Sequence, residues 1–220
     1  MAMIKAIVFD LDGTLVDSSK DIANALNYVL TNKGLGNINL DETLTCVGNG
    51  LKNAIKQAIA IKNGQFEEED FDSLLSYYNT NYAVDTYVYA GVQELLKQLQ
   101  QDNILLGILS NKADLLVKKI VSKLFKDINF SYVSGKKEDS VLKPNEKVFT
   151  NLYKEMNINK NELLYIGDSE VDIKTLINTK VDGIIVTYGF RNKNELNCDY
   201  TLVDNTKELL DVIRRKRSNY

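Results

Sequence analysis

Two carboxylates two residues apart, Asp10 and Asp12, stand in the run Phe9-Asp10-Leu11-Asp12-Gly13-Thr14, directly after a short apolar, β-branched stretch. That placement suits chemistry in which one carboxylate attacks and the other moves a proton, because ligand sites of open α/β sheets lie at the carboxyl ends of strands. Asp-Gly between apolar residues is also a good hairpin turn. Residues 18–30, however, carry helical spacing and not a returning strand, which argues against the hairpin.

Three further stretches place polar groups comparably. Leu109-Ser110-Asn111-Lys112 ends an apolar run and offers a hydroxyl, an amide and, if a helix opens there, free N–H groups for a phosphate. Ser and Asn are equally ordinary N-caps. Lys143-Pro144 contains the only proline, which fits the first turn of a helix beginning near Asn145 and keeps Lys143 extended. A lysine fixed there could neutralise phosphate; a solvated loop lysine is the plainer reading. Tyr165-Ile166-Gly167-Asp168-Ser169-Glu170-Val171-Asp172 again closes an apolar run and opens a helix, with Ser169 and Asp172 spaced as a capping box. Acids delivered by separate strand ends into one cleft would repel one another unless a cation lay between them, and hard oxygen donors select magnesium.

Composition removes competitors. The chain has no histidine, so serine-histidine triads, imidazole zinc sites and histidine phosphotransfer are excluded. Cys46 and Cys198 form no CxxC pair and are read as small hydrophobes. A net charge of -3 gives no general attraction to nucleic acid or anionic membrane. The basic run Arg214-Arg215-Lys216-Arg217 suits the last turn of a helix, where cations complement the dipole. No apolar run nears the roughly 20 residues that span a bilayer, and residues 1–5 lead into a strand pattern without an export signal, so a cytoplasmic address is expected.

The elements that must position these groups follow from periodicity. Short apolar runs at residues 4–9, 104–109, 130–133, 163–166, 183–187 and 200–203 read as buried parallel strands, and 92–99, 114–124 and 145–156 as the helices between them. This alternation predicts an α/β fold with a doubly wound, Rossmann-like parallel sheet. It breaks once, where only helical patterns occur, at 21–30, 51–61 and 71–82. Residues 17–84 are therefore expected to be a small inserted all-helical cap, with residues 1–16 and 85–220 as the core and hinges near Val16 and 85–90. The acidic run 67–70 marks a helix N-terminus. Val47-Gly48-Asn49-Gly50 offers a loop that could reach over the site, with Lys52 as an anion contact, although Gly48 and Gly50 equally suit helix-ending turns.

Taken in order, the four stretches resemble the motifs of the haloacid dehalogenase superfamily over nearly the whole chain. Within it the chain is similar to the phosphoglycolate phosphatase-like branch, whose first motif reads DLDGT, a short apolar stretch and Asp, as in residues 10–17. The resemblance implies a magnesium-dependent phosphomonoester hydrolase acting on a small phosphorylated metabolite through an aspartyl phosphate. It implies Asp10 as nucleophile, Asp12 as general acid and base, and Ser110 and Lys143, beside Asn111, as phosphate-binding groups. The metal would be held by Asp10, the Asp12 backbone carbonyl and Asp168, with Asp172 behind them. Thr179-Lys180 and Ala90 depart from the Ala-Gly and proline that relatives often carry. Alternatives within the fold are a β-phosphoglucomutase-like phosphotransferase, disfavoured because a cap histidine is expected near Ile22, and an inorganic pyrophosphatase or nucleotidase. Dehalogenases resemble this chain at Asp10 but lack an acid two residues on. A non-catalytic phosphate-binding regulator is opposed by intact Asp10, Asp12, Lys143 and Asp168. The expected partner is a small phosphorylated substrate, with no nucleic acid or membrane, for a monomer or homodimer.

Overall fold

The computed structural model describes residues 3–138 and 140–218; Met1 and Ala2, part of the segment read for an export signal, lie outside them. The described residues form a six-stranded sheet in the order β5-β4-β1-β6-β7-β8, every pairing parallel. Its strands are β1 (Ala6–Phe9), β4 (Leu105–Ala113), β5 (Phe130–Lys136), β6 (Leu163–Gly167), β7 (Asp182–Val186) and β8 (Thr201–Val203). Alternate residues face opposite ways. Ile7, Phe9, Leu106 and Ile108 pack under α5 (Val92–Gln101), α6 (Asp114–Leu124) and α9 (Thr206–Ser218). Ala6, Val8, Leu163 and Tyr165 pack under α7 (Thr150–Glu155) and α8 (Glu170–Thr179). Both faces are covered, as a parallel sheet requires, and this is the doubly wound α/β architecture expected.

Four helices intervene after β1: α1 (Ser19–Asn32), α2 (Leu40–Cys46), α3 (Leu51–Ile61) and α4 (Glu68–Thr80). They bury a cluster of their own, including Leu26, Ile55, Ile59, Leu74 and Tyr78, which Leu116 of α6 joins. The connections into and out of this insert lie side by side as a two-residue ribbon, β2 (Val16–Asp17) antiparallel to β3 (Tyr87–Val88). The Asp21 carboxylate, in the first turn of α1, accepts from the backbone N–H groups of Val84, Asp85 and Thr86 and from the Thr86 hydroxyl.

Three local expectations are corrected. The helix predicted over 145–156 begins only at Thr150, because residues 143–149 loop across the sheet end, where the Asn111 side chain grips both the N–H and the carbonyl of Lys143. Pro144, joined to Lys143 by a cis peptide, precedes that helix and does not lie in its first turn. Strand β4 continues to Ala113, so Ser110, Asn111 and Lys112 belong to its end and not to a helix N-terminus. Helix α2 was missed, although Asn39 and Glu42 form a reciprocal capping box at its start.

Candidate active site

Strand order explains why the four sequence stretches meet. From β1 the chain builds β4 and β5 on one side, then returns to build β6, β7 and β8 on the other, so β1 lies at the switch point between β4 and β6. Strands diverge there and leave a crevice at their carboxyl ends. Asp10 follows β1, Ser110 to Lys112 end β4, and Asp168 follows β6. Close approach depends on Gly13, whose φ is +80° and where a Cβ would lie 2.1 Å from Asp168 Oδ2. A Cβ on Gly189 would lie 2.1 Å from the Gly13 carbonyl, so this loop too is pressed against the first motif.

Lys143 is the hub of the buried charges. Its Nζ lies 2.8 Å from Asp10 Oδ2, from Asp172 Oδ1 and from the Tyr165 hydroxyl, which uses its three donors. The Tyr165 hydroxyl donates in turn to Asp172 Oδ1 at 2.7 Å. Asp172 Oδ2 accepts from the Ser169 hydroxyl and the N–H groups of Ser169 and Asp168. Burial pushes the Asp172 carboxyl upward, but the Lys143 ammonium and these hydrogen bonds prevail and hold it below the usual carboxylate range. Asp10 moves the other way, raised to about 6 by burial, with Lys143 pulling it down and Asp172 pushing it up. Asp168, buried and beside Asp172 and Asp10, is raised well above the usual range despite hydrogen bonds from the Phe190 N–H and the Thr14 hydroxyl.

Oxygens of Asp10, Asp168 and Asp172 all lie within 4.8 Å of one another. Three hard donors at that spacing, two of them in carboxylates whose charge is penalised, fit a hard divalent cation. Asp172 spends its oxygens on Lys143, Tyr165 and Ser169, which suits a supporting place behind Asp10 and Asp168. Among the described residues no hydrogen bond is donated to the Asp12 backbone carbonyl, so its lone pairs remain for a ligand.

The Asp12 carboxylate is gripped separately. Lys112 Nζ lies 3.0 and 3.1 Å from its two oxygens and 2.7 Å from the hydroxyl of Tyr78 on α4, and the Ser18 hydroxyl also donates to Oδ1. The cleft above, about 540 Å³ and open to solvent, is walled on the insert side by Ile22, Val47, Leu51, Ala54 and the backbone of Gly48 and Gly50. Asn111 was expected to bind phosphate through its side chain. Its amide is spent structurally, donating to the carbonyls of Gly48 and Lys143 while Oδ1 accepts from the Lys143 N–H. Lys52 was expected as an anion contact and instead pairs with Glu68 at 2.5 Å; neither it nor Asn49 lines the cleft.

The sequence reading singled out no role for Lys112 and missed Tyr78, Phe190 and Arg191. Arg191 lines the cleft, pairs with Glu170, and donates to the carbonyls of Leu44 and Val47 at the end of α2. The available signal was the Tyr188-Gly189-Phe190-Arg191 loop after β7, at the same edge of the sheet as the other motifs.

A profile of the haloacid dehalogenase-like hydrolase family matches residues 7–186. A phosphoglycolate phosphatase of Chromobacterium violaceum is 30% identical over 216 residues, covering 96% of this chain and 97% of its own. That of Agrobacterium fabrum is 29% identical over 187 residues, covering 83% and 80%. The crystal structure of a predicted phosphoglycolate phosphatase from Haemophilus somnus superimposes with a TM-score of 0.85 at 26% identity, over 96% of this chain and 99% of that one.

Proposed function

Because the chain belongs to the haloacid dehalogenase-like hydrolase family and is a phosphatase, we propose that it hydrolyses a small phosphomonoester of the phosphoglycolate kind through an aspartyl phosphate on Asp10. The helical insert, residues 17–84, serves as a cap over the cleft, and residues 1–16 and 85–220 as the catalytic core. The relatives named for phosphoglycolate support the substrate class.

A carboxylate approaching a phosphate dianion meets like-charge repulsion of about 4 kcal/mol per unit-charge pair at 4 Å and an effective dielectric of 20. The single observation that carries the proposal is Lys143 Nζ at 2.8 Å from Asp10 Oδ2, which sets a permanent cation beside the attacking oxygen. Magnesium, when held by Asp10, the Asp12 carbonyl and Asp168, would supply further neutralisation of the phosphoryl oxygens. The Ser110 hydroxyl, buried at the end of β4, would donate to phosphate. As an Asp10 oxygen bonds to phosphorus, the bond to the leaving oxygen breaks and Asp12 gives that oxygen its proton. Asp12, now a carboxylate, takes a proton from water as the water oxygen attacks phosphorus and the bond to Asp10 breaks, releasing inorganic phosphate.

The test is turnover of phosphoglycolate and p-nitrophenyl phosphate with magnesium, and its loss on addition of EDTA. With Asp12→Ala, hydrolysis of the intermediate slows, so protein treated with phosphate-labelled substrate and quenched in acid retains label at Asp10. Normal turnover by that variant with no label on the protein would contradict the mechanism.

A further inference from the structure

Proton transfer by Asp12 demands that its carboxylate face the leaving oxygen, and the contacts that orient it cross from core to cap. Resting on the proton-transfer role given to Asp12 above, we propose that Lys112 and Tyr78 form a positioning pair that aims Asp12 while the cap is seated over the cleft. Lys112 ends β4 in the core, with its side chain 2% exposed, and Tyr78 is fully buried on α4 of the cap.

The Lys112 ammonium touches both Asp12 oxygens and thereby fixes the plane of the carboxylate as well as its distance. The ammonium itself ends a flexible four-carbon stem, so something must fix it. Tyr78 does so twice, by its hydroxyl at 2.7 Å and by its ring, whose centroid lies 4.7 Å from Nζ. Ser18, the residue just before α1, supplies a further side-chain donor to Asp12. Among the described residues, every side-chain donor to Asp12 is thus in the cap or steadied from it. Other polar ties across the cleft, Asn111 to Gly48 and Arg191 to Leu44 and Val47, end on cap backbone and leave both aspartates untouched. Lifting the cap removes Tyr78 from Lys112 and frees the Lys112 stem to swing, and Asp12 loses its aim. Proton donation is thereby tied to closure over substrate.

Leaving-group dependence tests this, because an alkyl ester needs the Asp12 proton and a nitrophenyl ester hardly does. The quantity to compare is kcat/KM, which stops at departure of the leaving group and so excludes later hydrolysis of the intermediate. Tyr78→Phe keeps the ring and its packing and removes the hydroxyl. It should lower kcat/KM for phosphoglycolate about 10-fold, the effect of one charge-assisted hydrogen bond, and that for p-nitrophenyl phosphate far less. Lys112→Met should widen the gap, with a loss of roughly 100-fold on the alkyl ester, the scale of general acid catalysis. Equal losses on both esters, or no loss in Tyr78→Phe, overturn the pairing while leaving the phosphatase reading intact. Absence of turnover by the unmodified protein on either ester overturns that reading, and the pairing with it.

Discussion

The two walls of the cleft are built on opposite plans. On the sheet side Asp10, Asp12, Asp168 and Lys112 line the cleft, with Lys143 buried beside Asp10, and all are held by ion pairs or hydrogen bonds. On the insert side the same space meets Ile22, Val47, Leu51 and Ala54, side chains that offer apolar surface and carry no charge. The attachments differ likewise. The core is sealed by two apolar clusters along the sheet faces, whereas the insert meets it through Leu116, Tyr82 and Ala83 and through long polar side chains: Lys119, Lys123, Asn111 and Arg191 end on carbonyls of the insert, and Lys112 on the Tyr78 hydroxyl. Such ties exchange readily with water, so a cap built on this insert would move while Asp10, Asp168, Asp172 and Lys143, whose partners lie in the core, stay assembled. On the proposed reading, reaction rests mainly on the sheet side and selection on the insert side.

The largest effect expected of that division is at Asp10. Asp10→Asn keeps size and the Leu11 N–H contact at the oxygen but removes the carboxylate proposed to attack, and steady-state turnover should fall by roughly 10⁴-fold or more on every substrate, with KM little changed. A variant that kept substantial activity on any one ester would mean that the charged wall does not carry the reaction alone.

A second effect separates the walls by their response to pH. Asp10 has a folded pKa of about 6 against an ordinary 3.8, chiefly through burial, and Asp168 is shifted in the same direction. An acid whose pKa rises on folding binds more protons folded than unfolded, so Asp10 makes the metal-free protein lose stability as pH climbs from about 4 to about 6, and Asp168 extends the loss to higher pH. For Asp10 alone the loss is on the order of 3 kcal/mol. Magnesium, binding the ionised carboxylates of the folded state, should offset it. Melting temperatures in EDTA and in magnesium across this range check the prediction, which fails if the two curves run parallel.

The charged wall was also the legible one. Short apolar runs ending in Asp10, Ser110 and Asp168 announce strand ends, and a parallel sheet gathers those ends at one edge whatever its connections do. What the sequence concealed are contacts made over long separations by residues of no special type. Tyr78 reaches Lys112 across 34 positions and Arg191 reaches Leu44 across 147, and neither belongs to a local pattern. Asn111 shows the same limit from the other side: its presence beside Ser110 was readable, but not that Gly48 and Lys143 would occupy its amide. Helix α2 escaped because seven residues provide too little apolar periodicity, even with Asn39 and Glu42 as caps.

A smaller effect should appear at the hinge. The Asp21 carboxylate takes three backbone N–H groups and a hydroxyl, and it ties the first turn of α1 to the returning connection. Asp21→Asn turns an NH2 toward some of those donors and should cost about 1–3 kcal/mol. Because the hinge serves the cap, amide exchange should accelerate in residues 84–86 and in α1 before β1 or β6. Uniform acceleration would show that core and cap unfold together.

The smallest effect tests whether the movable wall contributes binding alone. Arg191 spans the cleft mouth, and its guanidinium meets the last carbonyls of α2, where the helix dipole favours a cation. Its partner Glu170 is half-exposed and worth little by comparison. Arg191→Met keeps the stem packed beside the cleft but releases α2, so the closed arrangement is less populated before substrate arrives. A deficit in the competent population weakens apparent affinity in proportion and leaves the chemistry of the bound state alone. KM should therefore rise about 5-fold with kcat unchanged, or slightly higher if reopening limits turnover. If kcat falls as steeply as kcat/KM, Arg191 acts in the transition state, and the cap side of the cleft belongs to the reaction as much as the sheet side does.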